Sequence, residues 1–212
     1  MNGWRDADQL HRAQGQPGSA SYACRVEPVT LRTARLELSP PTVDDIDAIF
    51  EACQDPDIQR YTTVPSPYLR AHAEGFIDKV AAWWADGSET VWAMRDADGL
   101  AGMIGLHRLA AGSGEIGYWV TPRARGRGYL TEAGQAVIEW GFSQDGLALQ
   151  RIEWRAVVGN VASARTARAL GFRYEGLLRQ ALVSGRGRDD GWVAGLLRED
   201  DRTPQPWPVL EP

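Results

Sequence analysis

Cysteine, histidine and lysine are all scarce in this chain, and each shortage closes off a class of function. Two cysteines, Cys24 and Cys53, in 212 residues are too few for a disulfide framework or a thiolate metal site. A reducing, cytoplasmic compartment is therefore expected. His11, His72 and His107 are scattered, with no His-Glu-x-x-His and no Cys-x-x-Cys, so no metal is expected. His107 reads as a strand residue without a chemical role. No apolar run approaches the roughly 20 residues needed to span a bilayer, and the opening Met1-Asn2-Gly3-Trp4-Arg5-Asp6 has no apolar signal core. Lys79 is the sole lysine among 23 basic residues, a compositional bias to which no mechanism is attached. The net charge of -5 argues against nucleic acid or an anionic membrane as the main partner. Arg123, Arg125 and Arg127, with Arg186 and Arg188 later, form local basic stretches that suit a small anionic ligand instead.

What is present fits one globular domain. The length allows a core that needs no staples, and 43% hydrophobic with 24% charged residues is ordinary. Residues 1–26 are polar and aperiodic and read as a loosely ordered tail. Residues 27–202 form the domain, and 203–212, with Pro204, Pro206, Pro208 and Pro212, a proline-rich tail. Within the domain, 31–38 reads as a strand ended by Pro40-Pro41. Thr42 caps a helix that carries Asp44 and Asp45 in its first turn and stops before Asp55-Pro56. Residues 62–67 are a loop, because Pro65 and Pro67 hold their predecessors extended. A helix over 69–85 is followed by strands at 89–95, 100–109 and 114–120. Short turn-rich connectors make these an antiparallel meander. Helix spacing recurs through Leu130, Ala133, Val137, Ile138 and Phe142. A strand at 151–158 comes next, far enough on to pair parallel with its predecessor. A helix over 161–170 and strands at 172–182 and 191–197 complete an α/β architecture, a mixed sheet with helices on both faces.

The most informative stretch is Arg123-Ala124-Arg125-Gly126-Arg127-Gly128, between the strand Glu115-Ile116-Gly117-Tyr118-Trp119-Val120 and the following helix. Two glycines let successive N–H groups converge at the positive end of a helix, a phosphate-binding arrangement. The alternative is a tight turn and nothing more. Further on stand Asn160-x-x-Ser163, opening a helix, and Gly171-Phe172.

With Thr30-Leu31-Arg32-Thr33-Ala34-Arg35-Leu36 at the start, these motifs resemble, in order, the GNAT superfamily of acyl-CoA-dependent N-acyltransferases. The nearest branch is that of the ribosomal-protein N-terminal acetyltransferases. The resemblance spans residues 29–200. It implies a splayed mixed sheet with acetyl-CoA wedged in the opening and an amine as acceptor. Its acyl-CoA contacts fall on Tyr118, Trp119, Val120, Arg125, Gly126, Arg127, Gly128, Tyr129, Leu130, Thr131, Asn160 and Ser163. Val120 would act through its backbone N–H at the thioester carbonyl. Glu115 matches an acidic position used as base, against the alternative of a solvated strand carboxylate. Ser163 falls near the sulfur as thiolate donor. Asn160 and Ser163 also have a local reading, as a helix cap and a first-turn residue satisfying its own backbone.

Two positions depart from the family pattern. Ala167 stands where many members have a tyrosine acid, and Leu182 where the ribosomal enzymes can carry a second acidic residue. The acceptor cavity is expected from the 62–68 loop, the 69–85 helix and the 184–190 loop. Tyr61, Tyr68, Trp83 and Trp84 would form its walls, at least one of the tryptophans being ordinary core. Asp189 and Asp190 would draw a cationic amine. Two rival functions remain: a non-catalytic acyl-CoA sensor, and a dinucleotide-binding enzyme whose third glycine is replaced by Thr131. The oligomeric state stays open, with a homodimer among the options.

Overall fold

The structure, a computed structural model, describes residues 27–211. The tail at 1–26, with His11 and Cys24, lies outside them. The expected first strand is in fact two: β1 (Leu31–Arg32) and β2 (Glu37–Ser39) pair antiparallel. Thr33 folds the chain back between them, its Oγ1 accepting from the Leu36 N–H at 3.0 Å. Thr42 then caps as expected: its Oγ1 accepts from the Asp44 N–H while Asp45 accepts from the Thr42 N–H at 2.7 Å. A single 3-10 turn leads from there into helix α1 (Ile46–Ala52).

Asp55-Pro56 is also a start, which the sequence reading missed. Asp55 Oδ1 accepts from the N–H groups of Asp57 and Ile58 at 3.0 Å each, and Pro56 occupies the first helical position of α2 (Pro56–Tyr61). Helix α3 (Arg70–Asp86) ends at Gly87, whose φ of 70° suits glycine. The meander follows as β3 (Thr90–Asp96), β4 (Gly99–Ala110) and β5 (Ser113–Val120). Helix α4 (Tyr129–Phe142), strand β6 (Arg151–Val157), helix α5 (Val161–Ala169) and the hairpin β7 (Arg173–Ser184) with β8 (Gly187–Leu197) complete the chain.

All eight strands form one sheet in the order β1-β2-β3-β4-β5-β6-β8-β7. Only β5 and β6 run parallel, as their long crossover requires. Adjacent residues of a strand face opposite sides, and the helices divide accordingly. Gly141 of α4 lies so close to Leu106 and Ile152 that an added Cβ would stand 3.0 and 3.4 Å from their Cδ1 atoms. On the other face, Phe76, Lys79 and Trp83 of α3 look across a cavity at Val91, Gly105 and Gly117.

The feature that matters most for function is a pairing that stops. β5 and β6 are joined from Ser113↔Arg151 only as far as Ile116↔Trp154. β5 runs on to Val120 and β6 to Val157, and the two strands part.

The proline-rich segment forms no helix or strand, as expected, yet it is not a separate tail. Trp207 is fully buried, stacks on Trp154 and Tyr174 at centroid distances of 5.4 and 5.6 Å, and donates from Nε1 to the Phe172 carbonyl at 3.1 Å. Trp207→Ala should lower unfolding free energy by about 3–5 kcal/mol, the usual range for emptying a large aromatic site. Chemical denaturation measures this, and a loss under about 1 kcal/mol would show that the segment only rests on the domain.

Candidate active site

Where β5 and β6 separate, a cleft of about 530 Å³ opens. One wall is the end of β5 and the glycine turn: Tyr118, Trp119, Val120, Arg125, Gly126, Gly128, Tyr129, Leu130 and Thr131. The other is the start of α5, with Asn160 and Ser163, and α2 contributes Asp57, Ile58 and Tyr61. Eleven of the twelve expected acyl-CoA contacts therefore line one cleft.

Gly126 and Gly128 both have φ of 74°, the left-handed region that side chains resist. A Cβ on Gly126 would enter empty space, so backbone strain and the ground a ligand would occupy are the constraints there. The first intrahelical bond of α4 runs from the Glu132 N–H to the Gly128 carbonyl at 3.1 Å. The N–H groups of Tyr129, Leu130 and Thr131 thus have no helical acceptor, and all three residues line the cleft. Arg35 braces this turn from the β1–β2 connection. It donates to the Arg127 carbonyl at 2.9 Å, binds Glu132 and lies 4.8 Å over the Tyr129 ring. The sequence flagged Arg35 only as part of a motif; its structural job is to hold the glycine turn.

The arginines of the turn are already engaged. Arg123 pairs with Asp96 at 2.9 Å. Arg127, the expected contact that does not line the cleft, turns towards Asp96 and Asp98 at 3.7 and 3.8 Å. Arg125 lines the cleft, yet its guanidinium is held by Asp55 and Asp57 at 2.5 and 3.3 Å.

Across the cleft, Asn160 caps α5 through its Oδ1, which accepts from the Ser163 N–H at 3.2 Å. Ser163 Oγ accepts from Trp154 Nε1 at 3.0 Å and donates to the Tyr118 hydroxyl at 3.2 Å. That hydroxyl in turn donates to the Ser163 carbonyl at 3.1 Å. Burial pushes the Tyr118 phenol above its ordinary range, which keeps it protonated. Ala167 is buried in the core; of the three tyrosines that line the cleft, Tyr118 is the one hydrogen-bonded to Ser163.

A second cavity, about 600 Å³, adjoins the cleft through Tyr61, Thr62, Tyr118, Trp119, Asn160 and Ser163. The 62–68 loop and α3 line it as expected, with Tyr68, Phe76 and Trp83 as walls. Trp84 is the core tryptophan of the pair, packed on Trp92 at 5.0 Å. The 184–190 turn does not line it. Asp189 is held by Arg60 at 3.2 Å, Asp190 accepts from Gln180, and Arg186 donates to the Arg60 carbonyl at 2.6 Å. That hairpin therefore buttresses α2. Glu115 lies in the second cavity, its Oε2 held by Arg108 at 2.6 Å and 3.8 Å from Arg155 Nε. Burial raises its pKa above the usual value of 4.5, against the pull of both arginines. Among the described residues, no cluster suits a metal, and no helix is long and apolar enough to cross a membrane.

The model of the acetyltransferase (GNAT) domain matches residues 35–173. The chain belongs to the GNAT acetyltransferase family. It is an acetyl-CoA-dependent N-acetyltransferase, and its sheet follows the family pattern that the sequence motifs implied. The uncharacterized N-acetyltransferase YoaA of Bacillus subtilis (strain 168) is 34% identical over 154 residues, 71% of this chain and 86% of the relative. The ribosomal-protein-serine acetyltransferase of Escherichia coli (strain K12) is 35% identical over 95 residues, 44% of this chain and 52% of that one. Among solved structures, the RimL ribosomal L7/L12 alpha-N-protein acetyltransferase in complex with coenzyme A superposes with a TM-score of 0.72 at 18% identity. That superposition covers 80% of this chain and 98% of that one, and at this identity it speaks for the fold.

For this GNAT enzyme the paired arginines make a sharp contrast. Gly128→Val should weaken acetyl-CoA binding at least tenfold, about 1.4 kcal/mol, because a β-branched residue resists the left-handed backbone. Arg127→Ala should leave affinity nearly unchanged. Calorimetric titration decides, and the reverse ranking would move the phosphates from the backbone to the guanidinium.

Proposed function

We propose that the enzyme acetylates a primary amine borne on an apolar or aromatic body. Acetyl-CoA occupies the cleft, its pyrophosphate on the N–H groups from Arg125 to Thr131 and its thioester beside Val120. The amine arrives from the second cavity, and the two meet near Tyr118, Trp119, Asn160 and Ser163. The observation that carries this reading is the shared wall of the two spaces. One holds unpaired helix-start N–H groups and the other a half-buried carboxylate in a cavity with aromatic walls.

The reaction joins the amine nitrogen to the thioester carbonyl carbon and breaks the carbon–sulfur bond. An ammonium cannot attack, so it must first lose a proton. Glu115 is the base for that step. Its carboxylate draws the cation in, and the apolar walls lower the amine's own pKa. Backbone donors at the end of β5 meet the developing oxyanion. The departing thiolate meets the hydroxyl pair of Ser163 and Tyr118, of which the buried phenol is the better-kept proton. A peptide N-terminus and a free small amine both satisfy this chemistry. Leu182, in place of a second acidic residue, favours the free amine over a ribosomal-protein terminus.

Two measurements test the reading. Glu115→Gln should lower turnover at neutral pH by roughly 10²–10⁴-fold, with acetyl-CoA affinity kept. In the unsubstituted enzyme, activity should fall with acidification through a midpoint above 4.5, since burial raises the carboxyl's pKa and only its ionised form accepts the proton. A midpoint at or below 4.5 would exclude this glutamate. Ser163→Ala separates cap from donor: alanine is the better helix former, so stability should hold while turnover falls. Unaltered turnover would leave thiolate protonation to Tyr118 or water.

A further inference from the structure

His107 has no part in the mechanism above, yet the fold gives it a made-to-measure seat. The residue projects from β4 opposite Glu115, its cross-strand partner, so both side chains stand on the same face of the sheet. Its ring lies over two glycines of adjacent strands. A Cβ added to Gly105 would stand 3.0 Å from His107 Nε2, and one on Gly117 3.1 Å from it. A side chain at either position would crowd the imidazole in its present place. At the other side of the ring, Nδ1 lies 2.6 Å from Glu89 Oε2. A carboxylate only accepts, so Nδ1 carries the hydrogen and Nε2 of the neutral ring is a bare lone pair. Gly117 is the first residue of β5 beyond the last position paired with β6. Nε2 therefore sits beside the start of the opening, whereas Glu115 stands at a position still paired, opposite Glu153.

The chemistry has a vacancy of this shape. An ammonium carries three N–H bonds and the amide product carries one, so two protons leave the nitrogen. Glu115 takes the first, before attack. The second becomes acidic only as the N–C bond forms, at the acyl carbon. We propose that His107 Nε2 accepts this second proton, with Glu89 as the positioning residue that fixes the ring and its tautomer. The balance closes: nitrogen bonds the carbonyl carbon, sulfur leaves with the electron pair and gains one proton, and the other passes through Glu115 to solvent. Imidazole then returns its proton towards the cleft and is ready for the next turnover. This rests on the acceptor amine entering by the second cavity. The ionisable groups that share the cavity with His107 are Tyr61 of α2, Tyr68, His72 and Lys79 of α3, Glu89, Arg108 of β4, Glu115 and Tyr118 of β5 and Arg155 of β6.

The test follows CoA thiol release from acetyl-CoA with 2-phenylethylamine as probe, from about pH 7 to above about 10, where an alkylamine is already neutral in solution. Glu115→Gln should recover at the high end, because its task is then done by the solvent. His107→Gln should stay roughly 10²–10⁴-fold down across the range, with KM for the amine and the melting temperature little moved. Glu89→Gln should lower kcat by less, since the amide still holds the ring but no longer fixes its tautomer. Added imidazole should restore part of the turnover of His107→Ala, a response that loss of packing does not give. Undiminished kcat in His107→Gln overturns this assignment alone and leaves Glu115 in place. So does a loss that imidazole does not restore in His107→Ala. No CoA release by the unsubstituted enzyme overturns the acceptor reading and this one together.

Discussion

Everything functional here depends on β5 and β6 ceasing to pair after Ile116 and Trp154. A parallel pair normally satisfies its backbone groups along its whole length, and leaving them open inside a fold is costly. The opening is tolerated because other elements hold its edges apart. Trp154 donates to Ser163, Tyr118 reaches across to the same residue, and Trp207 packs behind Trp154. The C-terminal segment is thus coupled to the cleft through one aromatic stack. The freed strand end is what a thioester and its pantetheine arm can use.

Charge is managed in a way that the arginine-rich turn does not suggest. Six residues carry three guanidiniums, but aspartates from the β3–β4 turn and from α2 engage them all. The guanidiniums are partly exposed, whereas the Asp96 and Asp55 side chains are largely covered. The effect of the pairs is on shape: they tie the turn to neighbouring elements and hold the guanidiniums so that the backbone N–H groups present the positive field. Arg35 completes the brace from the opposite side.

The strand and helix pattern was readable from local periodicity, and so was the cleft, because its residues lie in compact motifs with a fixed order. What escaped the sequence has a physical reason in each case. The break at Thr33 depends on a hydroxyl folding back on its own chain, which a hydrophobic run conceals. Asp55-Pro56 carries both a stop and a start signal, and only the bonds from Asp55 to the next helix show which governs. Trp207 sits among prolines, where nothing local reveals that it fills the core. The setting of His107 depends on register: Glu89, Gly105 and Gly117 surround it only once β3, β4 and β5 are aligned. Asp189 and Asp190 were placed in the acceptor cavity by loop proximity, and their hydrogen bonds take them elsewhere.

The central claim is that acetyl-CoA bridges the opened strands, with its phosphates on the glycine turn. Amide hydrogen exchange with and without acetyl-CoA tests it most directly. The account predicts new protection at residues 126–131 and 160–163, with strands β1, β2 and β7 unchanged. Protection confined to the second cavity, with exchange at 126–131 unaltered, would contradict it.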